Sequence, residues 1–534
     1  MRATRAAILD AGAAPRRQTF LEGDVGNGVR LVLAALAVVA AALACLRLPA
    51  LANHIQDDGF IYFRIAENAA AGHGPVFNPG DRVDAATSPV WLWLLALAAR
   101  LGVPVHVAAA WLALVAWGTA IVLTARWALE LADTGERSAA ANASQQVVIA
   151  LAGCIGALAL LLDDRFLVYA FSGMETMLCA AAWAWAFRAL VQRWLRQRPA
   201  RAAGWWVLAA VLVRPEFVLL VVGVAAVALL RRTAGPRVLL RTLAPALLGG
   251  LLYLGAHTLY FGDPFPNTYY AKRAGDWAHA RIGLHYVALW PRSYPWIALL
   301  AVPLLLPALR GATLGFLVGL SLYAVHVIRL GGDHFEFHRS FLYVLPLAAA
   351  LLGATAARLV TERQPWKLAL LVVLSAAMLF FSARPHVRAA AFQWVQLASR
   401  LGLALQERYP PGTRLGLFAL GATGYSSRLP VVDALGIADR HVARCDLSKE
   451  HVCALDIGHE RGDPAYVLEH ADIVVFFAAY APVRFENLEE IREGFYSQKK
   501  FLAAAATAVQ QGRFRLGNVE FMPGAYWAVL ERNR

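Results

Sequence analysis

Two adjacent carboxylates, Asp57 and Asp58, stand in "HIQDDGFIYFRIAEN" (54–68), directly after a long apolar run. On a helix Asp57, Ile61, Arg64 and Asn68 fall at i, i+4, i+7 and i+11, which is one face. Asp58 is rotated away from it, toward Tyr62 and Ile65. Four further segments carry ionisable or amide groups between apolar runs. "LLDDRFLVYAFSGMET" (161–176) supplies Asp163, Asp164 and Glu175, and "LVRPEF" (212–217) supplies Arg214 and Glu216. "FGDPFPNTYYAKR" (261–273) supplies Asn267, Tyr269, Tyr270, Lys272 and Arg273. "RLGGDHFEFHRS" (329–340) supplies Asp333, His334, Glu336, His338 and Arg339. Burying such groups beside a bilayer is costly, so they mark function by default.

The residue types fit one reaction. Cations (Arg64, Arg214, Lys272, Arg339) suit a phosphate or pyrophosphate carried on a lipid. A carboxylate suits a general base that deprotonates an alcohol. On the helical wheel Asp57 is the candidate base, with Asp58 positioning its neighbour or a sugar hydroxyl. Amide, hydroxyl and carboxylate groups (Glu175, Glu216, Asn267, Tyr270, Asp333, His334) suit sugar or acceptor hydroxyls. Together they describe glycosyl transfer from a polyprenyl phosphate to an acceptor hydroxyl, with no nucleotide and no firmly required cofactor. The paired acids and "GDHFEFH" could hold Mg²⁺ or Mn²⁺, but the spacing matches no strong metal signature and no metal ligand is assigned.

These groups must be positioned by a membrane-embedded chain. Of 534 residues 59% are hydrophobic and 16% charged, with a mean hydropathy of +0.51. Apolar runs of about 17–25 residues recur, long enough to cross a bilayer as helix. The reading is a mainly α, polytopic bundle of about eleven spanning helices plus interfacial helices. Residues 1–28 form a cytoplasmic tail rather than a cleavable signal. The formal charge of +14 does not indicate nucleic acid, because the arginines cluster in the loops 188–203, 231–241 and 358–367, as cytoplasmic loops do. The acid-bearing loops, 52–88 first among them, then become external. "SPVWLWLLALAAR" (88–100) is short and is read as interfacial, since counting it as a span would invert every later loop. The transmembrane domain is 29–383. From 384 to 534 the character changes to an extracytoplasmic α/β domain, with strands expected at 412–420, 471–477 and 525–532 and a helix at 462–470. Cys445 and Cys453 in that domain form either a disulfide or two unpaired thiols.

The segments "DDGFIYFRIAENAAAGHGPVFNPGDRVDAATSP", "SGMET", "VRPE", "PNTYYAK" and "GGDHFEFHR", in that order, resemble a family of bacterial GT-C membrane glycosyltransferases. "LPVVDALGIADRHVAR" (429–444) and "IGHERGDPAYVLEHADIVV" (457–475) resemble that family's external domain. The resemblance covers most of 50–475. It implies a polyprenyl-phosphate sugar donor, decaprenylphosphoryl arabinofuranose being one such donor. It implies catalysis on the external face of the cytoplasmic membrane and a glycan, glycolipid or glycoprotein acceptor. It places the catalytic Asp of the first external loop on the Asp57–Asp58 pair, with Asp57 leading, and donor-phosphate contacts on Arg214 and Lys272. The chain departs from the "GGDF" variant at His334, after Asp333. Two other classes remain open: a transporter or lipid flippase with an external cap, and a scaffold whose C-terminal domain binds glycans.

Overall fold

The computed structural model describes residues 24–51, 54–133, 143–272, 277–382, 389–445, 461–491 and 499–533. Cys453, and with it the expected Cys445–Cys453 pair, lies outside these residues, as does Arg273. Four helices among the described residues have stretches long and apolar enough to cross a membrane. They are α1 (Asp24–Leu51), α4 (Val105–Ala132), α8 (Pro236–Phe261) and α9 (Pro307–Arg329). Three bent pairs of helices bring the number to seven if each pair counts as one span.

Against the expectation of about eleven spans, four to seven pass on length and composition among the described residues. The run over 203–231 is two helices, α6 (Ala203–Val213) and α7 (Phe217–Leu230), broken at Arg214–Pro215–Glu216. Eleven helical residues reach only about 17 Å against a hydrocarbon core of about 30 Å. Pro215 lacks an amide N–H and disfavours helix in the residue before it, so the break is written into the sequence. The segment read as interfacial is α3 (Pro89–Arg100), of 12 residues, likewise too short to cross. Its first turn is capped by the Ser88 hydroxyl, which accepts from Trp91 N.

Contacts sort the loops between two ends of the bundle. At one end Arg47, late in α1, pairs with Asp164 at 2.7 Å. At the other, Val29 packs with Leu129, Ile149 and Ala357. α1 therefore runs from the second end to the first. The helix α10 (Leu345–Thr361) is the axis of the assembly, buried from Leu345 to Leu359. The acid-bearing loops gather at the first end, where α2 (Asp57–Ala70) and the helix α5 (Thr176–Leu190) begin.

The C-terminal unit also sits at that end. Its five-stranded sheet has the order β2-β1-β3-β5-β4, built from β1 (Leu415–Leu417), β2 (Val431–Asp433), β3 (Ile473–Ala481), β4 (Phe514–Met522) and β5 (Ala525–Arg532). β1 pairs in parallel with β2 and β3. β5 pairs antiparallel with β3 and β4. β1 and β2 are buried at every residue, as continuous apolar strands in parallel sheets are. The helix Pro464–His470 has Asp463 as its N-cap, accepting from Tyr466 N. Between β1 and β2 lies α11 (Gly421–Ser427), the element that meets the first loop.

Candidate active site

The two faces of α2 have different partners. The face of Asp57, Arg64 and Asn68 is turned to the C-terminal unit. Asp57 Oδ2 accepts from Gly421 N at 3.0 Å and Oδ1 from Ala422 N at 2.7 Å, so this carboxylate caps α11 across the domain boundary. Gly421 is required there, because a Cβ would come within 2.0 Å of the Asp57 carbonyl oxygen. Arg64 is buried and donates through Nε to Phe77 O (2.9 Å), through Nη1 to Gly424 O (2.5 Å) and through Nη2 to Leu429 O (2.8 Å). Asn68 Nδ2 donates to Val76 O and Phe77 O. Glu67 completes the seam, accepting from Tyr425 Oη and Arg428 Nη1. Arg64, expected to meet the donor phosphate, is thus spent on three carbonyls. Asp57, expected as the free base, is held as a cap. Burial, with the Asp58 charge adding to it and the two amide N–H groups opposing, pushes the Asp57 carboxyl up to about 6.

The opposite face leads into the bundle. Asp58 and Tyr62 stand at i and i+4. Tyr62 Oη lies 3.0 Å from Thr87 Oγ1 and accepts from Ser88 N. Arg214 Nη1 donates to the same Thr87 oxygen at 3.1 Å, and Nη2 donates to Tyr343 Oη at 3.1 Å. Its Nε lies 3.3 Å from Glu175 Oε1. Arg214 therefore ties together the first loop, the start of α5, the break between α6 and α7, and the entry to α10. Glu175 Oε2 and Glu216 Oε2 are buried with no hydrogen-bond partner among the described residues, which leaves two carboxylate oxygens for a ligand. Asp58 is half-buried and takes part in no hydrogen bond or ion pair among the described residues. The side read from the wheel as turned away is the side that meets the buried charges.

A third component is the loop before α10. Asp333 accepts from Arg339 Nε (2.9 Å), Ser340 Oγ (2.8 Å) and Phe335 N (3.2 Å). Burial alone would raise its pKa; Arg339, His334, Lys272 and the Ser340 hydroxyl hold it well below the usual carboxylate range. Arg339 also reaches Met174 Sδ at 3.0 Å. His334 is driven by burial down to about 3, so the imidazole is neutral at pH 7 despite Asp333. Lys272 is close enough to act on both Asp333 and His334. Its ammonium makes no hydrogen bond or ion pair among the described residues. Phe337 and His338 both have φ in the left-handed region, at 60° and 54°. Tyr294 and Tyr169 hold this strained turn by donating to Phe337 O and Glu336 O. Consecutive non-glycine residues in such conformations persist only where the surroundings enforce them, commonly at functional sites.

The structure thus gathers Asp58, Glu175, Glu216, Arg214, Lys272, Asp333, His334 and Arg339 at one end of the bundle. It separates others. Asn267, expected to meet sugar, donates to Gly436 O, Ile437 O and Asp439 O and accepts from Arg444 Nη1; it clips the loop after α8 to the C-terminal unit. Tyr270 lies under the Arg444 guanidinium at 4.2 Å. Asp163 pairs with Arg165 and Asp164 with Arg47. Among the described residues no three His, Cys, Asp or Glu side chains stand together as a metal site, so the Mg²⁺ or Mn²⁺ expectation finds no ligand set there. Tyr62, Thr87, Tyr343 and Gly421 were not foreseen. The i+4 spacing from Asp58 was the signal for Tyr62; nothing in the sequence singles out Gly421.

Residues 386–516 match a family described as a domain of unknown function (DUF8728). The chain is 34% identical over 265 residues to the terminal beta-(1->2)-arabinofuranosyltransferase of Mycobacterium tuberculosis (strain ATCC 25618 / H37Rv), covering 47% of this chain and 40% of that protein. It is 28% identical over 409 residues to the protein of the same name from Corynebacterium glutamicum, covering 68% of this chain and 57% of that one. The chain therefore spans about half the length of the curated relatives it matches. Among solved structures, ArnT from Cupriavidus metallidurans bound to undecaprenyl phosphate aligns with a TM-score of 0.47 at 13% identity, over 95% of this chain and 98% of that one.

Proposed function

We propose that this chain is a membrane glycosyltransferase that moves a sugar from a polyprenyl-phosphate donor to an acceptor hydroxyl. The observation that carries the reading is the unpartnered Asp58 carboxylate on the helix face shared with Tyr62, at the edge of the Arg214–Glu175–Glu216 cluster. In the proposed step Asp58 takes the proton of the acceptor hydroxyl, and the acceptor oxygen bonds to the anomeric carbon. The bond from that carbon to the phosphate oxygen breaks, and the lipid phosphate leaves with the electron pair. Lys272, whose ammonium is uncommitted among the described residues, meets the phosphate, with Arg214 behind it, where charge develops. Glu175, Glu216 and His334 face the sugar hydroxyls. Asp57, Arg64 and Asn267 are positioning residues that dock the C-terminal unit.

The similarity to terminal arabinofuranosyltransferases makes decaprenylphosphoryl arabinofuranose the first donor to test. The distribution of arginines supports an external site, with 384–534 outside. The decisive assay incubates membranes containing the full chain with radiolabelled polyprenyl-phosphate sugars and a polysaccharide or glycolipid acceptor. Consumption of one donor with label in the acceptor is the expected result. Movement of lipid across vesicles with no label transferred would replace this reading with a flippase.

A further inference from the structure

At the end of the bundle away from this site, a cleft of about 340 Å³ opens between Arg193, Gln197, Arg201, Arg241, Thr242 and Pro245. Its charge is of one sign, since no acidic residue lines it. The neighbouring arginines are committed. Arg188 donates twice to Glu130 at 2.7 and 2.6 Å, and Arg196 donates to the Glu130 and Leu131 carbonyls. The guanidiniums of Arg193, Arg201 and Arg241 take part in no hydrogen bond or ion pair among the described residues. Three like charges converge on one cavity without a counter-ion, an arrangement that repels itself unless an anion enters.

The local backbone builds this convergence. Residues Val191–Leu195 form a π-helical turn, a feature frequent at functional sites. It is followed by Gln197 at φ 54°. Gln197 Nε2 donates to Thr233 O at 2.9 Å, fixing the loop against the one before α8. A Cβ on Gly204 would come within 2.2 Å of Thr242 O, so α6 and α8 cross backbone to backbone at the cleft floor. That crossing holds Arg201 and Arg241 on opposite walls.

The walls also say what kind of anion enters. α8 presents apolar side chains outward, with Leu240, Leu248 and Leu251 each more than 60% exposed. On α6 Trp205 is likewise exposed, and Trp marks membrane–water interfaces. The cleft therefore opens where a hydrocarbon-facing surface meets a basic rim, at the depth of lipid headgroups. We propose that it is a binding site for the phosphate of an anionic phospholipid, with the three guanidiniums as donors and the acyl chains along α8. Guanidiniums match phosphate oxygens with parallel N–H donors, and basic pockets between membrane helices hold such headgroups.

The test uses the delipidated full chain in a zwitterionic detergent. It is titrated separately with phosphatidylglycerol, phosphatidylcholine and inorganic phosphate, and bound lipid is counted by native mass spectrometry beside the thermal midpoint. Phosphatidylglycerol is expected to stay bound and raise the midpoint, with phosphatidylcholine and inorganic phosphate at equal concentration doing neither. The triple variant R193Q/R201Q/R241Q is expected to bind phosphatidylglycerol roughly a hundredfold more weakly, about a factor of five for each guanidinium. Should the triple variant fail to fold, R201Q and R241Q alone, both at exposed positions, are each expected to lose that factor of about five. Unchanged phosphatidylglycerol affinity in the variants overturns the proposal. So does an equal response to phosphatidylcholine, or to inorganic phosphate, the latter making this a free-anion site.

Discussion

Replacing each acid of the Asp57–Asp58 pair by its amide separates the two roles assigned to them. Asp58 takes part in no hydrogen bond or ion pair among the described residues, so D58N removes no structural interaction and is expected to change stability by less than about 0.5 kcal/mol. If Asp58 is the base, its loss lowers kcat by roughly 10²–10⁴, which is about 3–5 kcal/mol of transition-state stabilisation. KM for the donor should hardly move. Asp57 accepts two N–H bonds at the start of α11. D57N keeps one acceptor oxygen and loses the other, which costs roughly 1–2 kcal/mol of docking between the first loop and the C-terminal unit. Its signature is therefore a lowered Tm and faster proteolytic release of residues beyond 384, with a smaller loss of kcat. The assay is single-turnover transfer from a synthetic polyprenyl-phosphate sugar, run beside thermal unfolding of each variant. Near-normal turnover in D58N together with an inactive D57N of unchanged Tm would refute the assignment.

Burial pushes Asp57 up to about 6 from its ordinary 3.8. The contribution of this group to stability is therefore full below about pH 4 and lost as the pH rises through about 6. Unfolding midpoints at pH 4 and 7.5 should show wild type gaining on D57N at the lower pH, and parallel profiles would contradict this. K272A should raise the donor KM roughly 10–100-fold, the worth of a hydrogen bond from a charged group, at unchanged Tm; steady-state kinetics with a varied donor decides it. G421A puts a Cβ 2.0 Å from the Asp57 carbonyl oxygen, where neither backbone can give way. A loss of about 3 kcal/mol or more is expected, read as undocking of the C-terminal unit in limited proteolysis. N267A strips a donor from Gly436 O, Ile437 O and Asp439 O and should lower stability by roughly 2–3 kcal/mol; a changed donor KM at constant Tm would return Asn267 to the sugar site.

The helical bundle was legible because its helices are apolar runs, and α3 was legible as non-spanning because 12 residues are too few. Strands β1, β3 and β5 were read from continuous apolar stretches. β2 escaped because Val431–Asp433 is three residues long. β4 escaped because Arg515, Asn518 and Glu520 interrupt it along the sheet edge. The loops proposed to carry chemistry stand out by residue type alone. Their internal division does not, because a helical wheel gives faces and not what covers them. The partner of the Asp57 face, at Gly421 and Ala422, lies 364 and 365 positions along the chain. Asn267 has the side chain of a sugar ligand and was read as one, while its amide is consumed by carbonyls more than 160 positions away.

Arg64 carries a consequence for biosynthesis. Two of its three acceptors, Gly424 O and Leu429 O, are 360 and 365 residues downstream. The segment bearing Arg64 is inserted early, yet its guanidinium finds those acceptors only after most of the chain has left the ribosome. Contacts of such long sequence separation form slowly. The nascent protein thus passes through a stage in which the bundle can be laid down while a buried-to-be cation is still exposed to water. A chain halted before residue 424 lacks both of those acceptors, so the seam between the first loop and the C-terminal unit is among the last parts of the molecule to form.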